Sequence, residues 1–94
     1  MRVPYLVVWH GKQQNTAENG VEEGSVDLTA EGSGAHEWRM STDGESWTAL
    51  PATLTSKVTV SELTPGMVYY FQNRRILPNH EKSEWSQAIK IRVQ

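Results

Sequence analysis

The sequence predicts an all-β fold, a sandwich of two antiparallel sheets with about seven strands. Short runs of alternating apolar and polar residues are separated by Gly, Pro, Asn, Asp and Ser at close intervals. No run keeps a helical hydrophobic period long enough to indicate an amphipathic helix. Short alternating segments with frequent turn residues are typical of sandwiches and barrels. The length of 94 residues fits a single domain covering 1–94.

The first 24 residues are predicted to contain one strand and one loop. The apolar, β-forming residues 5–9 predict the first strand, and the polar stretch Gly11 to Gly24 predicts a long loop. Later strands are expected at 25–30, 37–41, 57–60, 67–76 and 85–93, with an irregular edge at 51–56.

Two of these strands have a predicted buried face. In the strand at 67–76, Tyr69, Phe71 and Asn73 are expected to face the core. The alternation over 85–93 is the clearest in the chain, with Ile89, Ile91 and Val93 inward and the basic residues between them outward.

Composition excludes several classes of function. The chain has no cysteine, so neither a disulfide nor a cysteine-based metal site can form. The net charge of −2 argues against a general nucleic-acid binder. No apolar run approaches the roughly 18 residues of a membrane span, so no membrane insertion is expected. The first ten residues show no signal-peptide cleavage pattern, which leaves the compartment open.

The charge is unevenly distributed along the chain. Residues 1–47 hold three basic and eight acidic side chains, a balance of −5, whereas residues 48–94 hold six basic and three acidic ones, a balance of +3. This pattern favours two solvated faces of different sign. Head-to-tail attraction between copies is the alternative interpretation.

A corner motif carries the main resemblance to a known family. Residues 63–69 read Leu-Thr-Pro-Gly-Met-Val-Tyr, and this stretch resembles the Leu-x-Pro-Gly-x-x-Tyr corner of fibronectin type III domains. The resemblance implies that Leu63, Pro65, Gly66 and Tyr69 form a structural corner. The tyrosine ring would pack in the core, and its hydroxyl would bond back to the backbone of the turn.

Two weaker stretches extend the resemblance over residues 25–94. Residues 83–86 are similar to the family's segment before its last strand. The hairpin at 38–47 resembles that of bacterial members, which implies a bacterial or bacteriophage assembly and an extracellular or virion-associated location. The chain departs from the family at Leu28, where a Trp is common, and in its long loop before residue 25. It also has no Arg-Gly-Asp triplet, so integrin-type adhesion is not implied.

Residues 82–86, Lys-Ser-Glu-Trp-Ser, resemble half of the Trp-Ser-x-Trp-Ser box of cytokine receptors. Lys82 stands where the first Trp of that box would be. In the box, indoles stack on arginines of the neighbouring strand, so Arg74 is expected to form a cation–π pair with Trp85.

No catalytic or cofactor site is expected. His10, His36 and His80 lie far apart in the sequence, with too few companions for the three or four ligands of a zinc site. No nucleophile elbow or oxyanion loop is visible. The sequence therefore predicts a chain that is not an enzyme and that needs neither cofactor nor metal.

The expected function is non-catalytic protein–protein interaction or structural spacing. A protein partner or a second copy would contact loop 31–37 together with loop 78–82, or the edge near Trp47, because rigid strands position such loops for recognition. The candidate residues are His36, Trp47, Asn79, His80 and Glu81. The competing hypothesis is that the segment from Gly11 to Gly24 makes the contacts. Two other classes stay open, a carbohydrate-binding accessory module and a self-assembling shell or filament subunit.

Overall fold

The computed structural model describes residues 15–32 and 34–94, and the strand predicted at 5–9 lies outside them. These residues form seven strands and no helix. The strands are β1 (Asn15–Asn19), β2 (Val26–Ala30), β3 (His36–Ser41), β4 (Thr48–Thr53), β5 (Lys57–Val60), β6 (Val68–Arg75) and β7 (Ile89–Arg92). No helix that could cross a membrane occurs in this part of the chain.

The strands form two antiparallel sheets. One has three strands in the order β1-β2-β5, and the other has four in the order β4-β3-β6-β7. The inner faces of both sheets supply the buried residues, as in a β-sandwich. The prediction of an all-β, two-sheet antiparallel sandwich is confirmed.

The core contains apolar side chains from both sheets. Val26 and Leu28 project from β2, and Trp38 and Phe71 project from β3 and β6; each of these four side chains is at most 1% exposed. Burial along β6 alternates as predicted, with Tyr69, Phe71 and Asn73 inward. Ile89 and Ile91 pack against the same core from β7, and Val93 is buried beyond that strand's end.

The prediction of a loop from Gly11 to Gly24 is wrong for residues 15–19, which form β1. This stretch has few strand-forming residues, but it pairs with β2 along its whole length. Its asparagines also reach the other sheet. Asn15 Nδ2 donates to Ser86 Oγ at 2.6 Å, and Asn19 Nδ2 donates to the Arg92 carbonyl at 3.1 Å. Tertiary hydrogen bonds therefore override the low strand propensity of β1.

Two further strand boundaries differ from prediction. The expected irregular edge at 51–56 is instead strand through Thr53, and β4 contains Pro51. The proline is tolerated because β4 is an edge strand and needs no donor on its free side. The last strand begins at Ile89 rather than residue 85.

The loop between β3 and β4 is longer than a two-residue hairpin and is organised by Asp43. The carboxylate accepts hydrogen bonds from the backbone N–H groups of Ser46 and Glu45 and from the Ser41 hydroxyl. These bonds favour the charged form and lower the pKa of Asp43 to about 2. Gly44 takes a φ of +79° in this loop, which a residue with a Cβ rarely adopts.

The predicted corner forms before β6. Leu63 is buried, and the Thr64 N–H donates to the Tyr69 hydroxyl at 3.0 Å. Gly66 supplies a φ of +88°, and its N–H donates to the Val93 carbonyl at 2.8 Å. The corner thus ties the start of β6 to the end of the segment that contains β7.

We expect Tyr69→Phe to lower the free energy of unfolding by about 1–2 kcal/mol without changing the fold, because the Thr64 N–H loses its acceptor. Urea denaturation followed by tryptophan fluorescence measures the change. Tyr70→Phe is the matched control, since that ring lies on the opposite face of β6. Equal denaturation midpoints for Tyr69→Phe and the wild type would contradict the assignment of the corner bond.

Candidate functional site

Arginines and tryptophans gather on the outer face of the four-stranded sheet. Arg39 projects outward from β3 and Arg74 from β6, because their neighbours Trp38 and Asn73 are buried. Trp47 directly precedes β4, and Trp85 lies between β6 and β7. We call Arg39, Arg74, Trp47 and Trp85 the arginine–tryptophan cluster.

Stacking contacts connect the members of this cluster. The Arg74 guanidinium lies 4.4 Å from the centre of the Trp85 ring, as the sequence predicted. The Arg39 guanidinium lies 4.2 Å from the same ring and 4.7 Å from that of Trp47. Arg39 therefore links the two indoles, a contact that sequence reasoning missed.

Two serines fix the segment that carries Trp85. The Arg75 N–H donates to Ser83 Oγ at 2.9 Å, and the Asn73 N–H donates to Ser86 Oγ at 3.0 Å. In return, the Ser83 N–H donates to the Arg75 carbonyl, and the Ser86 N–H donates to the Asn73 carbonyl. The segment is thus held along β6 by paired hydrogen bonds, which orients Trp85 over the arginines.

One carboxylate and a third cation lie beside the two arginines of the cluster. Glu37 accepts from Arg74 Nε at 2.7 Å and pairs with Lys82 Nζ at 2.9 Å. The hydrogen bond from Lys82, and then that from Arg74, lowers the pKa of Glu37. Burial, and then the charge of Arg74, lowers the pKa of Arg39. With one carboxylate against Arg39, Arg74 and Lys82, the cluster has an excess of two positive charges.

A shallow groove of about 380 Å³ crosses this surface. One wall is apolar and includes Ala49 and Ala52 of β4 together with the Trp47 indole. The other includes Glu37 and the arginines with Trp85. The groove can therefore accept an apolar side chain and an anionic group side by side.

The predicted partner-binding residues do not form one surface. Trp47 lines the groove, whereas Asn79, His80 and Glu81 lie in an exposed turn after β6. The two predicted loops do lie at the same end of the sandwich, because the Ile76 N–H donates to the Ala35 carbonyl.

The expectation that His36 lies in an exposed loop is wrong. His36 is fully buried and begins β3, with its ring facing the core. Its Nδ1 accepts from Asn73 Nδ2, and its Nε2–H donates to the Gly32 carbonyl at 3.2 Å. The alternation of the strand could have predicted this burial, because residues 36, 38 and 40 share one face of the strand.

His36 belongs to a buried polar cluster at the interface of the two sheets. Asn73 is also fully buried, and Ser86 Oγ bonds to both Asn73 and Asn15. The amide oxygens of Asn73 and Asn15 have no hydrogen-bond partner among the described residues. The neutral imidazole satisfies both of its ring nitrogens, whereas a second proton on Nδ1 would face the amide nitrogen of Asn73. Burial lowers the pKa of His36, and the charge of Arg75 adds to this effect.

We expect the domain to lose stability as the pH falls below about 6.5, the ordinary histidine pKa. Because the folded-state pKa of His36 is lowered, the unfolded chain binds more protons in this window, so the free energy of unfolding decreases until the pH passes the folded-state pKa. Urea denaturation at a series of pH values measures the slope. His36→Gln should flatten it, and His80→Gln, at an exposed position, should not. Equal slopes in the two variants would show that His36 is not the group responsible.

No group of three or more His, Asp or Glu side chains that could hold a metal ion occurs within residues 15–32 and 34–94. A comparison with models of known protein families finds no match to the chain. A search of curated proteins likewise finds no significant relative.

Proposed function

We propose that this chain is a non-catalytic protein-binding module of the fibronectin type III kind. Two observations support the family. One is the fold of seven strands in two antiparallel sheets, which agrees with the sandwich that the resemblance implies. The other is the bond from the Thr64 N–H to the Tyr69 hydroxyl in the corner. The bacterial or bacteriophage assembly, and the extracellular or virion-associated location, rest on the sequence resemblance.

The groove beside the arginine–tryptophan cluster is the observation that carries the binding function. Tryptophan and arginine are the residues most enriched among those that dominate interface energies. Here they are fixed by stacking and by the Ser83 and Ser86 hydrogen bonds, so a partner would order few side chains on binding. The excess positive charge favours an acidic protein segment.

The alternative of a carbohydrate-binding module receives less support from this geometry. Sugar binding needs aromatic faces open to the ligand, but guanidinium groups lie over both the Trp47 and the Trp85 rings. At least one face of each ring is therefore covered by a charged group. Protein recognition, in contrast, uses arginine and tryptophan together.

Nuclear magnetic resonance titration tests the proposal. The probe is a synthetic peptide of alternating leucine and glutamate, and the control peptide carries lysine in place of glutamate. The indole N–H signals of Trp47 and Trp85 should shift with the acidic peptide only. The backbone amide signal of Val26 should stay in place, because this residue is buried and its strand, β2, belongs to the other sheet.

A pair of variants locates the site. Arg39→Gln should weaken peptide binding about tenfold, which is about 1.4 kcal/mol. Lys90→Gln removes the same charge from the outer face of β7 and should leave binding within about twofold. Equal weakening by both variants would indicate nonspecific charge attraction. Shifts at Trp47 and Trp85 with a neutral oligosaccharide, but not with the acidic peptide, would favour the carbohydrate-binding class.

A further inference from the structure

The turn between β1 and β2 projects an unusual combination of side chains. Val21 is fully exposed, and Glu22 and Glu23 beside it are exposed as well. Neither carboxylate forms an ion pair with any of the described residues. We call residues 20–24 the acidic turn. It presents one aliphatic side chain next to two unneutralised negative charges.

The acidic turn is rigidly attached to the sandwich. The Gly20 N–H donates to the Ser25 carbonyl at 2.9 Å, and the Ser25 hydroxyl donates to the Glu22 carbonyl at 2.7 Å. Gly24 takes a φ of +82°, and a Cβ there would lie 2.8 Å from the Leu63 carbonyl oxygen, so only glycine fits. A partner would therefore meet a preformed projection, which lowers the entropy lost on binding.

The turn and the groove beside the arginine–tryptophan cluster have complementary chemistry. The groove joins an apolar wall, formed by Trp47, Ala49 and Ala52, to a surface with an excess of two positive charges. The turn offers an apolar side chain and two negative charges in three consecutive residues. Backbone hydrogen bonds join Gly24 to Leu63 and to Gln94 and anchor the turn at the end of the three-stranded sheet. It thus lies on a different surface from the groove of its own molecule.

We propose that the groove of one molecule receives the acidic turn of a second copy. This inference rests on the proposed binding function of the groove and names its partner. The turn and the groove are different surfaces, so each molecule offers one of each. Depending on its geometry, a contact between two different surfaces propagates head to tail, closes into a ring or forms a reciprocal dimer.

The association is expected to be weak and sensitive to salt. A single turn in a shallow groove buries less than the roughly 1,200 Å² of a standard protein–protein interface. The attraction between carboxylates and guanidinium groups at an exposed site is screened within about 8 Å at physiological ionic strength. Sedimentation velocity over a concentration series should show a weight-average mass that rises with concentration at low salt and returns toward the monomer at high salt.

Two complementary variants give the decisive experiment. The turn variant combines Glu22→Lys and Glu23→Lys, and the groove variant combines Arg39→Gln and Trp47→Ala. Each alone should remain monomeric, because each lacks one of the two surfaces. Mixed in equal amounts, they should form a dimer and nothing larger, since one supplies an intact groove and the other an intact turn. Far-ultraviolet circular dichroism confirms that both are folded, and Trp47→Ala alone replaces the groove variant if the double substitution is unfolded.

The experiment also needs a charge-matched control, and two outcomes would overturn the proposal. Glu18→Lys with Asp27→Lys changes the net charge by the same amount on the exposed face of the three-stranded sheet, outside the turn and the groove, and should associate like the wild type. A wild type that stays monomeric at low salt, or a mixture that forms no dimer, overturns the self-association. If the acidic peptide still shifts the Trp47 and Trp85 signals, the groove remains a binding site for another protein. If it does not, the proposed function fails as well.

Discussion

Trp38→Ala is expected to lower the free energy of unfolding by about 3–5 kcal/mol, the range found for truncation of large buried aromatic residues. The side chain is 1% exposed and lies in the centre of β3 opposite Leu50 of β4. Its indole N–H also donates to Thr53 Oγ1, so truncation removes a buried contact and a hydrogen bond between the two strands. Small domains are only about 5–15 kcal/mol stable, so this single change should bring the chain close to unfolding.

Trp47→Ala is the matched control for that experiment. Trp47 is half-buried at the margin of the sheet, where Arg39 covers its ring. Its truncation should therefore lower the free energy of unfolding by about 1 kcal/mol or less, close to the value of an exposed cation–π contact. Urea midpoints of both variants give the comparison. If Trp47→Ala were the more destabilising change, Trp47 would be a core residue and the groove would lose its apolar wall.

Ser86→Ala is expected to destabilise the domain by about 2–3 kcal/mol, toward the upper end of the cost of leaving buried polar groups unpaired. The serine hydroxyl accepts from the buried N–H of Asn73 and from the Asn15 amide. Among the residues that the structure describes, no other side-chain acceptor bonds to either of these two donors. The change should also move the indole signal of Trp85, because the segment that carries this ring loses one of its links to β6.

Ser83→Ala tests whether burial is the cause of the larger stability loss expected for Ser86→Ala. Ser83 makes an equivalent bond from the Arg75 N–H, but Ser83 and Arg75 are only half-buried. Water can replace the lost acceptor there, so we expect a loss of about 1 kcal/mol, the net value of an ordinary hydrogen bond. Thermal unfolding and urea denaturation measure both variants. Equal losses for the two serines would show that burial at Asn73 is not the reason for the difference.

Local patterns were sufficient to predict most of the sandwich. Alternation placed Tyr69, Phe71 and Asn73 on the inner face of β6, because a strand's side chains alternate strictly between its faces. The corner could be predicted because Pro65, Gly66 and Tyr69, which form it, lie within a few residues of one another in the sequence. The contact between Arg74 and Trp85 was predicted from the resemblance of residues 82–86 to the Trp-Ser-x-Trp-Ser box.

The features that were not predicted from the sequence depend on contacts between segments that lie far apart along the chain. β1 is polar, and only its pairing with β2 and its bonds to Ser86 and Arg92 make it a strand. The place of Arg39 between two indoles requires the register of β3 against β6, which sequence alone does not give. His36 was assigned to loop 31–37 because the predicted strand began at residue 37, and its two hydrogen bonds explain its burial.

The bonds that join the two sheets along β1 bear on how quickly the domain folds. They connect Asn15 to Ser86, Asn19 to Arg92 and Asn19 to Gln94, over sequence separations of 71, 73 and 75 residues. Contacts between such distant residues can form only after a large loss of chain entropy, and sandwiches rich in them fold on a scale of about milliseconds to seconds. Until that step, β1 can be held only by its hairpin with β2.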